Sequence, residues 1–116
     1  MPTKKEEGKE GEDKAVQTLK HEGYKILERN YRNLFGEIDI IAEESGYLVF
    51  VEVKKRNSST FGDSLLAIDK KKKQHIIRSA MFYLKDHKWF DRKVRFDVVG
   101  IDREQVKVVK HAFILE

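Results

Sequence analysis

The sequence predicts an α/β fold in which helices cover a mixed β-sheet. Two segments carry apolar residues at the three- and four-residue spacing of an amphipathic helix. Five other segments are rich in Ile, Val, Phe and Tyr, the residues that strands favour. In chain order these segments give αβββαββ. We find no internal repeat, so we expect one layered domain.

The first helix is predicted from about Gly11 to Glu22, and it follows a charged segment at residues 1–10 that we expect to be a flexible tail. Its apolar stripe ends at Leu19, and Gly23 would stop it. Glu12 lies on the same stripe and has two interpretations. It is either a first-turn acid that favours the helix dipole or an acid directed towards a site.

Three strands follow, then a long helix, then two more strands. The second and third strands are separated by "EESG", which is a turn signal. A polar loop precedes the long helix, whose stripe contains Ile76, Ala80 and Leu84. The predicted segments are a strand at Tyr24–Arg32, strands at 36–43 and 47–56, a loop at 57–63, a helix at Leu65–Lys88, and strands at 94–102 and 105–115.

Bulk composition narrows the functional classes. The chain has 116 residues and no cysteine, which excludes disulfides and thiolate metal sites. No apolar run reaches the roughly 20 residues of a membrane span, and the charged first ten residues do not resemble a signal peptide. We therefore expect a soluble cytoplasmic protein. The formal charge of +4 permits nucleic-acid binding without requiring it.

Charged side chains interrupt the two strongest predicted strands. Glu37 and Asp39 share one face of the first, and Glu52 and Lys54 share one face of the next, because side chains alternate along a strand. A hairpin turn within "EESG" is predicted to place Asp39 opposite Phe50, so that Asp39 is a diagonal neighbour of Glu52. That geometry brings the acids to one side of the sheet.

The opposite face of the third strand is wholly apolar or aromatic and is the predicted core face. Its residues are Tyr47, Val49, Val51 and Val53. Clustered acids repel one another unless a cation compensates, and carboxylates without cysteine favour Mg²⁺ or Mn²⁺. Lys54 could position a water or stabilise charge on a phosphate. The alternative is a solvent-facing strand with cross-strand salt bridges.

Asp39, Glu52 and Lys54 spell D-x(12)-E-x-K, which resembles the active-site pattern of the PD-(D/E)xK nuclease superfamily. Ile38, not proline, precedes Asp39, so only the aspartate of "PD" is present. From Gly11 to about Asp102 the chain resembles the YraN-like family, small proteins similar to archaeal Holliday-junction resolvases. The segments that carry this resemblance are "GEDKAVQTLKHEGYKILERNYR", "FGEIDIIAEESGYLVFVEVKKR", the "FG" at 61–62, the "KKQ" at 72–74 and "RFDVVGID".

The resemblance implies a restriction-endonuclease-like core and metal-dependent phosphodiester hydrolysis. A glutamate of the first helix would join the site, which gives Glu12 a role. The implied metal ligands are Asp39, Glu52, Glu12 and the backbone carbonyl of Val53. Lys54 would be the catalytic lysine, Gln74 would support the site, and Glu37 would either support it or bind a second ion.

The leading hypothesis is a Mg²⁺- or Mn²⁺-dependent DNA endonuclease that acts on branched or otherwise structured DNA. A four-way junction needs two symmetric cuts and would suit a homodimer. Two alternatives stay open: a nucleic-acid-binding module without turnover, and an accessory protein whose acidic cluster is structural. The predicted phosphate contacts are Lys55, Arg56, Lys70, Lys71, Lys72 and Lys73.

Overall fold

The computed structural model describes residues 4–55, 68–102 and 105–114, with side chains described from residue 9 onward. The described part of the chain has the predicted α/β order αβββαββ. Its elements are α1 (Lys4–His21), β1 (Lys25–Asn33), β2 (Gly36–Glu44), β3 (Tyr47–Lys55), α2 (Lys70–Asp86), β4 (Val94–Ile101) and β5 (Val106–Phe113).

The five strands form one mixed sheet in the order β1-β2-β3-β4-β5. β3 and β4 run parallel, and the other neighbours pair antiparallel. A parallel pair needs a long crossover connection. The chain segment that contains α2 makes this connection, which confirms the predicted mixed sheet flanked by helices.

Each face of the sheet has its own core, one under each helix. The α1 core includes Ala15, Val16, Leu19, Tyr24, Ile40, Ala42, Val49, Val51, Val99 and Ile101. The α2 core includes Ile38, Ile41, Leu48, Phe50, Ile76, Ala80, Tyr83, Phe96, Val98 and Phe113. The prediction of a single core face on β3 is therefore incomplete, because α2 also buries the face of Leu48 and Phe50.

The β2–β3 hairpin has a two-residue turn at Ser45 and Gly46, with φ angles of 53° and 83°. Two positive φ angles match the turn type that the twist of paired strands favours. Phe50 consequently pairs with Ile41, so the predicted pairing of Asp39 with Phe50 is wrong by two residues. An even shift keeps every side chain on its face and brings Asp39 closer to the level of Glu52.

Both helices differ from their predicted bounds. α1 begins at Lys4, well before Gly11, because Lys and Glu extend a helix even without an apolar stripe. α2 begins at Lys70, since the Asp69 side chain accepts a hydrogen bond from the Lys72 amide at 2.8 Å and caps the helix. Residues 65–67 lie outside the described part. The division into a tail at 1–10 and a domain at 11–116 stays a prediction.

No helix in the described part of the chain is long and apolar enough to cross a membrane.

Candidate active site

The first strand of the site enters through a glycine. Gly36 begins β2 with φ of 146°, and a Cβ at this position would lie 3.2 Å from the Ser79 hydroxyl and 3.6 Å from the His75 Cβ. Glycine accommodates this backbone angle and this close approach at little steric cost. β2 therefore starts against α2, which fixes the position from which Glu37 and Asp39 follow.

Asp39 and Glu52, here called the acid pair, lie together where β2 begins and β3 ends. The Val53 amide donates a hydrogen bond to Asp39 Oδ2 at 2.8 Å. Burial, with added repulsion from Glu37 and Glu12, raises the pKa of Asp39 to about 6. Burial, followed by repulsion from Asp39, raises the pKa of Glu52 to about 7. The pKa values of both carboxylates are therefore raised by burial and by the negative charges around them.

Two lysines offset part of this repulsion. Lys72 on α2 places its Nζ 3.8 Å from Glu52 Oε1, and its charge lowers the pKa values of Asp39 and Glu52. Lys54 also lowers the pKa of Glu52, so the predicted catalytic lysine lies within electrostatic reach of the acid pair. The start of α2 therefore contributes a cation that sequence reasoning had assigned only to DNA binding.

Glu12 approaches the acid pair from α1 but is held by Arg29. The Arg29 Nε lies 3.3 Å from Glu12 Oε1, and another guanidinium nitrogen lies 2.6 Å from Asp13 Oδ1. Glu12 is buried apart from 15% of its side-chain surface and raises the pKa of Asp39. Because α1 begins at Lys4, Glu12 lies well beyond the first turn, so the helix-dipole interpretation is wrong.

Gly11 lets α1 pass close to the end of β3. A Cβ at Gly11 would lie 3.5 Å from the Lys55 Cδ and 3.8 Å from the Ile101 Cδ1. This packing brings the next residue of α1, Glu12, to the edge of the site.

The acid pair fits a hard divalent cation, although it does not form a complete ligand set. Among the described residues, no three His, Cys, Asp or Glu side chains converge as ligands for one ion. Mg²⁺ usually takes one or two protein carboxylates and completes its shell with water and substrate phosphates. Two buried carboxylates with raised pKa values are consistent with that mode, because a bound cation would relieve their repulsion.

The other predicted site residues are mostly half-exposed or exposed. Glu37 is half-exposed and pairs with Arg32, whose Nε lies 3.5 Å from Glu37 Oε2. Lys73 places its Nζ 5.8 Å from the centre of the Phe113 ring. Of the remaining predicted residues, Gln74, Lys70, Lys71 and Lys55 are exposed, Val53 reaches the site through its amide, and Arg56 lies outside the described residues.

Sequence reasoning missed a buried polar network centred on Asp97, a fully buried carboxylate in β4. Arg95 donates to both Asp97 oxygens at 2.9 Å, and the Tyr24 hydroxyl donates at 2.6 Å. The His111 amide adds a fourth hydrogen bond at 3.1 Å. An acid within the apolar run "VRFDVVGI" was the signal in the sequence.

Glu44 at the other end of β2 extends this network. Arg95 Nη2 lies 2.7 Å from Glu44 Oε1, and Lys110 Nζ lies 3.2 Å from Glu44 Oε2. Hydrogen bonds from Ser45, Arg95 and Lys110 lower the pKa of Glu44 to about 2. We assign Glu44, Arg95 and Tyr24 to this Asp97 network. Asp97 has hydrogen-bond donors in place, and Glu44 has two cations within 3.2 Å.

Comparison with known proteins gives a family without an assigned activity. The model of "Uncharacterised protein family UPF0102" matches residues 11–101. A UPF0102 protein of Persephonella marina is 49% identical over 109 residues, which cover 94% of each chain. A relative in Fusobacterium nucleatum is 44% identical and covers 92% of this chain and 90% of its own. A Sulfurihydrogenibium relative is 43% identical, and the match covers 97% of this chain and 98% of the relative. None of these three names states an activity.

Proposed function

We propose a nuclease function for this chain, which belongs to the uncharacterised protein family UPF0102. Membership confirms the YraN-like family predicted from the sequence. The proposed activity is Mg²⁺- or Mn²⁺-dependent endonucleolytic hydrolysis of branched DNA, such as a four-way junction. The observation that carries the proposal is the acid pair: two adjacent buried carboxylates, Asp39 and Glu52, with raised pKa values and Lys54 in reach.

Asp39 and Glu52 would hold the ion, and the Val53 carbonyl is a proposed third ligand. Glu12 could join them through its second oxygen, because Arg29 contacts Oε1. When bound, Mg²⁺ or Mn²⁺ would supply Lewis-acid polarisation of the phosphodiester and lower the pKa of a water. Glu37 and Gln74 would then have supporting roles at most, because both lie towards solvent.

The chain's own residues would orient the reactants. Lys54 would hold the attacking water, while Lys72 would pair with the scissile phosphate instead of Glu52. The water oxygen bonds to phosphorus as the bond to the 3′ oxygen breaks. The water proton passes to solvent, and the leaving 3′ oxygen takes a proton. The products would be a 5′-phosphate and a 3′-hydroxyl.

DNA binding would depend on phosphate contacts from the lysines beside the acid pair. Lys55 follows the site on β3, and Lys70, Lys71 and Lys72 lie at the start of α2. Such contacts are independent of sequence and weaken steeply with salt. Arg56 and Lys73 remain proposed contacts, although Lys73 points towards Phe113. Cytoplasmic location and a homodimer belong to the same proposal.

Cleavage of end-labelled DNA tests the activity. The substrates are a four-way junction, a flap, a single strand and plain duplex, each with Mg²⁺ or Mn²⁺. We expect the wild type to cut the junction, and Asp39→Asn and Glu52→Gln to lose at least about a hundredfold in rate, since a metal ion contributes several kcal/mol. Glu22→Gln is the matched control, because Glu22 is an exposed acid that directly follows α1. Unchanged cutting by both site variants would overturn the assignment.

Metal binding has a readout that does not depend on turnover. An ion that binds the folded state raises the melting temperature by mass action. Mn²⁺ should therefore stabilise the wild type and the Glu22→Gln control but not Glu52→Gln. An unchanged wild-type melting temperature would favour the accessory protein whose acids are structural.

The pairing of Glu12 with Arg29 favours one second candidate, a nucleic-acid-binding module without turnover. The positive charge of Arg29 next to Glu12 weakens the attraction of this third carboxylate for a metal ion. This candidate predicts junction binding that persists in chelator, falls with salt and is accompanied by no cleavage of any substrate. Metal-dependent cutting by the wild type alone would exclude it.

A further inference from the structure

A large apolar surface lies on the side of the molecule formed by the second half of α2. We call it the apolar patch, and its members are Leu34, Phe35, Met81, Phe82 and Phe90. Leu34 is 79% exposed, Phe90 74% and Met81 57%. With Leu84 and Trp89 they line an open groove of about 1100 Å³.

Most of the exposed large apolar side chains among the described residues lie in this patch. Six large apolar side chains are exposed in the described part of the chain, and five of them belong to the patch. Only Ile114 lies outside it. Single exposed apolar residues are ordinary, whereas a contiguous patch of several hundred Å² marks an interaction site.

Three segments hold the patch in place before any partner binds. The β1–β2 turn contributes Leu34 and Phe35, and the Phe35 ring packs 5.9 Å from the Phe82 ring on α2. Beyond α2, the Trp89 ring makes an edge-to-face contact with the Tyr83 ring, and its centre lies 4.9 Å from the Arg92 guanidinium. A surface fixed in this way loses little side-chain entropy on association.

We propose that the apolar patch binds a second copy of this chain across a two-fold axis. Its exposed area is on the order of 500 Å², given the size of aromatic and aliphatic side chains. A standard interface buries about 800 Å² on each partner, and about 65% of a homodimer interface is apolar. The apolar area that each partner contributes to such a dimer is therefore similar to the exposed area of the patch.

Charged residues surround the apolar centre of the groove. Its lining includes three cations, Arg78, Lys85 and Lys88, and one acid, Asp86. In a two-fold interface each surface meets its own copy, so Asp86 of one chain can face a cation of the other.

This inference does not rest on the proposed nuclease function. Lys72, which contacts the acid pair, and Phe82, in the patch, are ten residues apart on α2, or about 15 Å at the helical rise per residue. The dimer would thus leave the acid pair open. If the nuclease function also holds, the two-fold axis relates two sites, as symmetric junction cutting requires.

Sedimentation equilibrium of the full chain without DNA or metal tests the dimer. We expect the mass to approach twice the 13.7 kDa of the chain at protein concentrations of about 10 to 100 μM. Leu34→Glu and Phe90→Glu place a charge in the patch and should each weaken association at least about tenfold. Ile114→Glu is the matched control, because it charges the exposed apolar residue outside the patch.

Circular dichroism of each variant separates lost association from lost folding, and both patch positions are too exposed for a substitution to disturb the core. A wild type that stays monomeric throughout the concentration range would overturn the proposal. So would a dimer that neither glutamate variant weakens.

Discussion

Two buried acidic regions lie at opposite ends of the same strand, β2, and the protein treats them differently. At one end is the acid pair, Asp39 and Glu52, whose pKa values are raised to about 6 and about 7. At the other end is Glu44 of the Asp97 network, whose pKa is lowered to about 2. The side chains of Glu52 and Glu44 are similarly exposed, at 12% and 10%, so solvent exposure alone does not explain the difference.

The supply of donors distinguishes the two regions. Asp97 accepts hydrogen bonds from Tyr24, Arg95 and the His111 amide, and Glu44 has Arg95 and Lys110. Around the acid pair, the described contacts are a hydrogen bond from the Val53 amide to Asp39 and Lys72 at 3.8 Å from Glu52, with the charge of Lys54 also acting on Glu52. An acidic cluster that the fold satisfies is structural, whereas an unsatisfied one stores repulsion that a bound cation can relieve.

The largest expected effect comes from breaking the satisfied region. Asp97→Asn removes a charge that Arg95 needs, and Arg95 is 3% exposed. Leaving one partner of a buried ion pair uncompensated costs about 3–5 kcal/mol, and we expect a loss of about 3 kcal/mol because Arg95 keeps Glu44 as a second anionic partner. Urea unfolding at pH 7 should show that loss, while Asp91→Asn at an exposed position should change the free energy of unfolding by less than about 0.5 kcal/mol. Equal stabilities would mean that the network contributes little.

Glu52→Gln should raise the free energy of unfolding at high pH, in contrast to Asp97→Asn. The folded-state pKa of Glu52 lies above its unfolded value. The contribution of Glu52 to folding stability is therefore present below about pH 4 and is lost as pH rises through 7. The variant avoids this loss. Its free energy of unfolding should be higher than that of the wild type by on the order of 2 kcal/mol at pH 8 and no higher at pH 4. Denaturant unfolding at both pH values measures the difference, with Glu22→Gln as control. A variant less stable than the wild type at pH 8 would contradict the contrast.

Glu44→Gln should cost stability at neutral pH. A lowered pKa means that the contribution of Glu44 is present above about pH 4.5 and is lost as pH falls through about 2. We expect the variant to lose about 1 kcal/mol at pH 7, a figure reduced by solvent access to Lys110. Unfolding curves of variant and wild type should converge towards pH 2. A constant gap from pH 7 to pH 2 would show that the charge of Glu44 is not responsible.

The smallest effect is expected at Lys72, whose side chain is 47% exposed. Lys72→Ala should raise the pKa values of Asp39 and Glu52 further, because its charge lowers both. NMR titration of the side-chain carboxyl carbons would measure this shift. The cost in stability at pH 8 should be only a few tenths of a kcal/mol. Lys71→Ala, its exposed neighbour, should leave both titrations unchanged.

Local patterns predicted most of the fold. The three- and four-residue spacing predicted both helices, and "EESG" predicted the hairpin. The predicted register was wrong by two residues, and a shift of two leaves each side chain on its predicted face. The second core was not predicted because Glu52 and Lys54 share a face with Leu48 and Phe50, and charged residues are typical of a solvent-facing side. The run Leu48, Val49, Phe50 and Val51 has no alternation, which is itself typical of a strand buried on both sides.

The candidate site was predictable only where its residues are close in the chain. Asp39, Glu52 and Lys54 follow from spacing within one hairpin. The contact of Lys72 with Glu52 depends on how the crossover returns α2 to the sheet, and the pairing of Glu12 with Arg29 depends on how α1 packs. Partners of this kind belong to tertiary packing, which the pattern of one segment does not encode.

The single parallel junction in the sheet has a consequence for the order of folding. The β2–β3 hairpin closes through two turn residues, whereas the β3–β4 ladder joins distant positions such as Phe50 and Phe96. Closing the longer loop costs more chain entropy, so we expect the hairpin to be formed in the transition state and β4 to dock afterwards. Truncating Val49 to alanine should then slow folding, while truncating Val98 should chiefly accelerate unfolding. The strands that carry the acid pair would be assembled before the strand that completes the core.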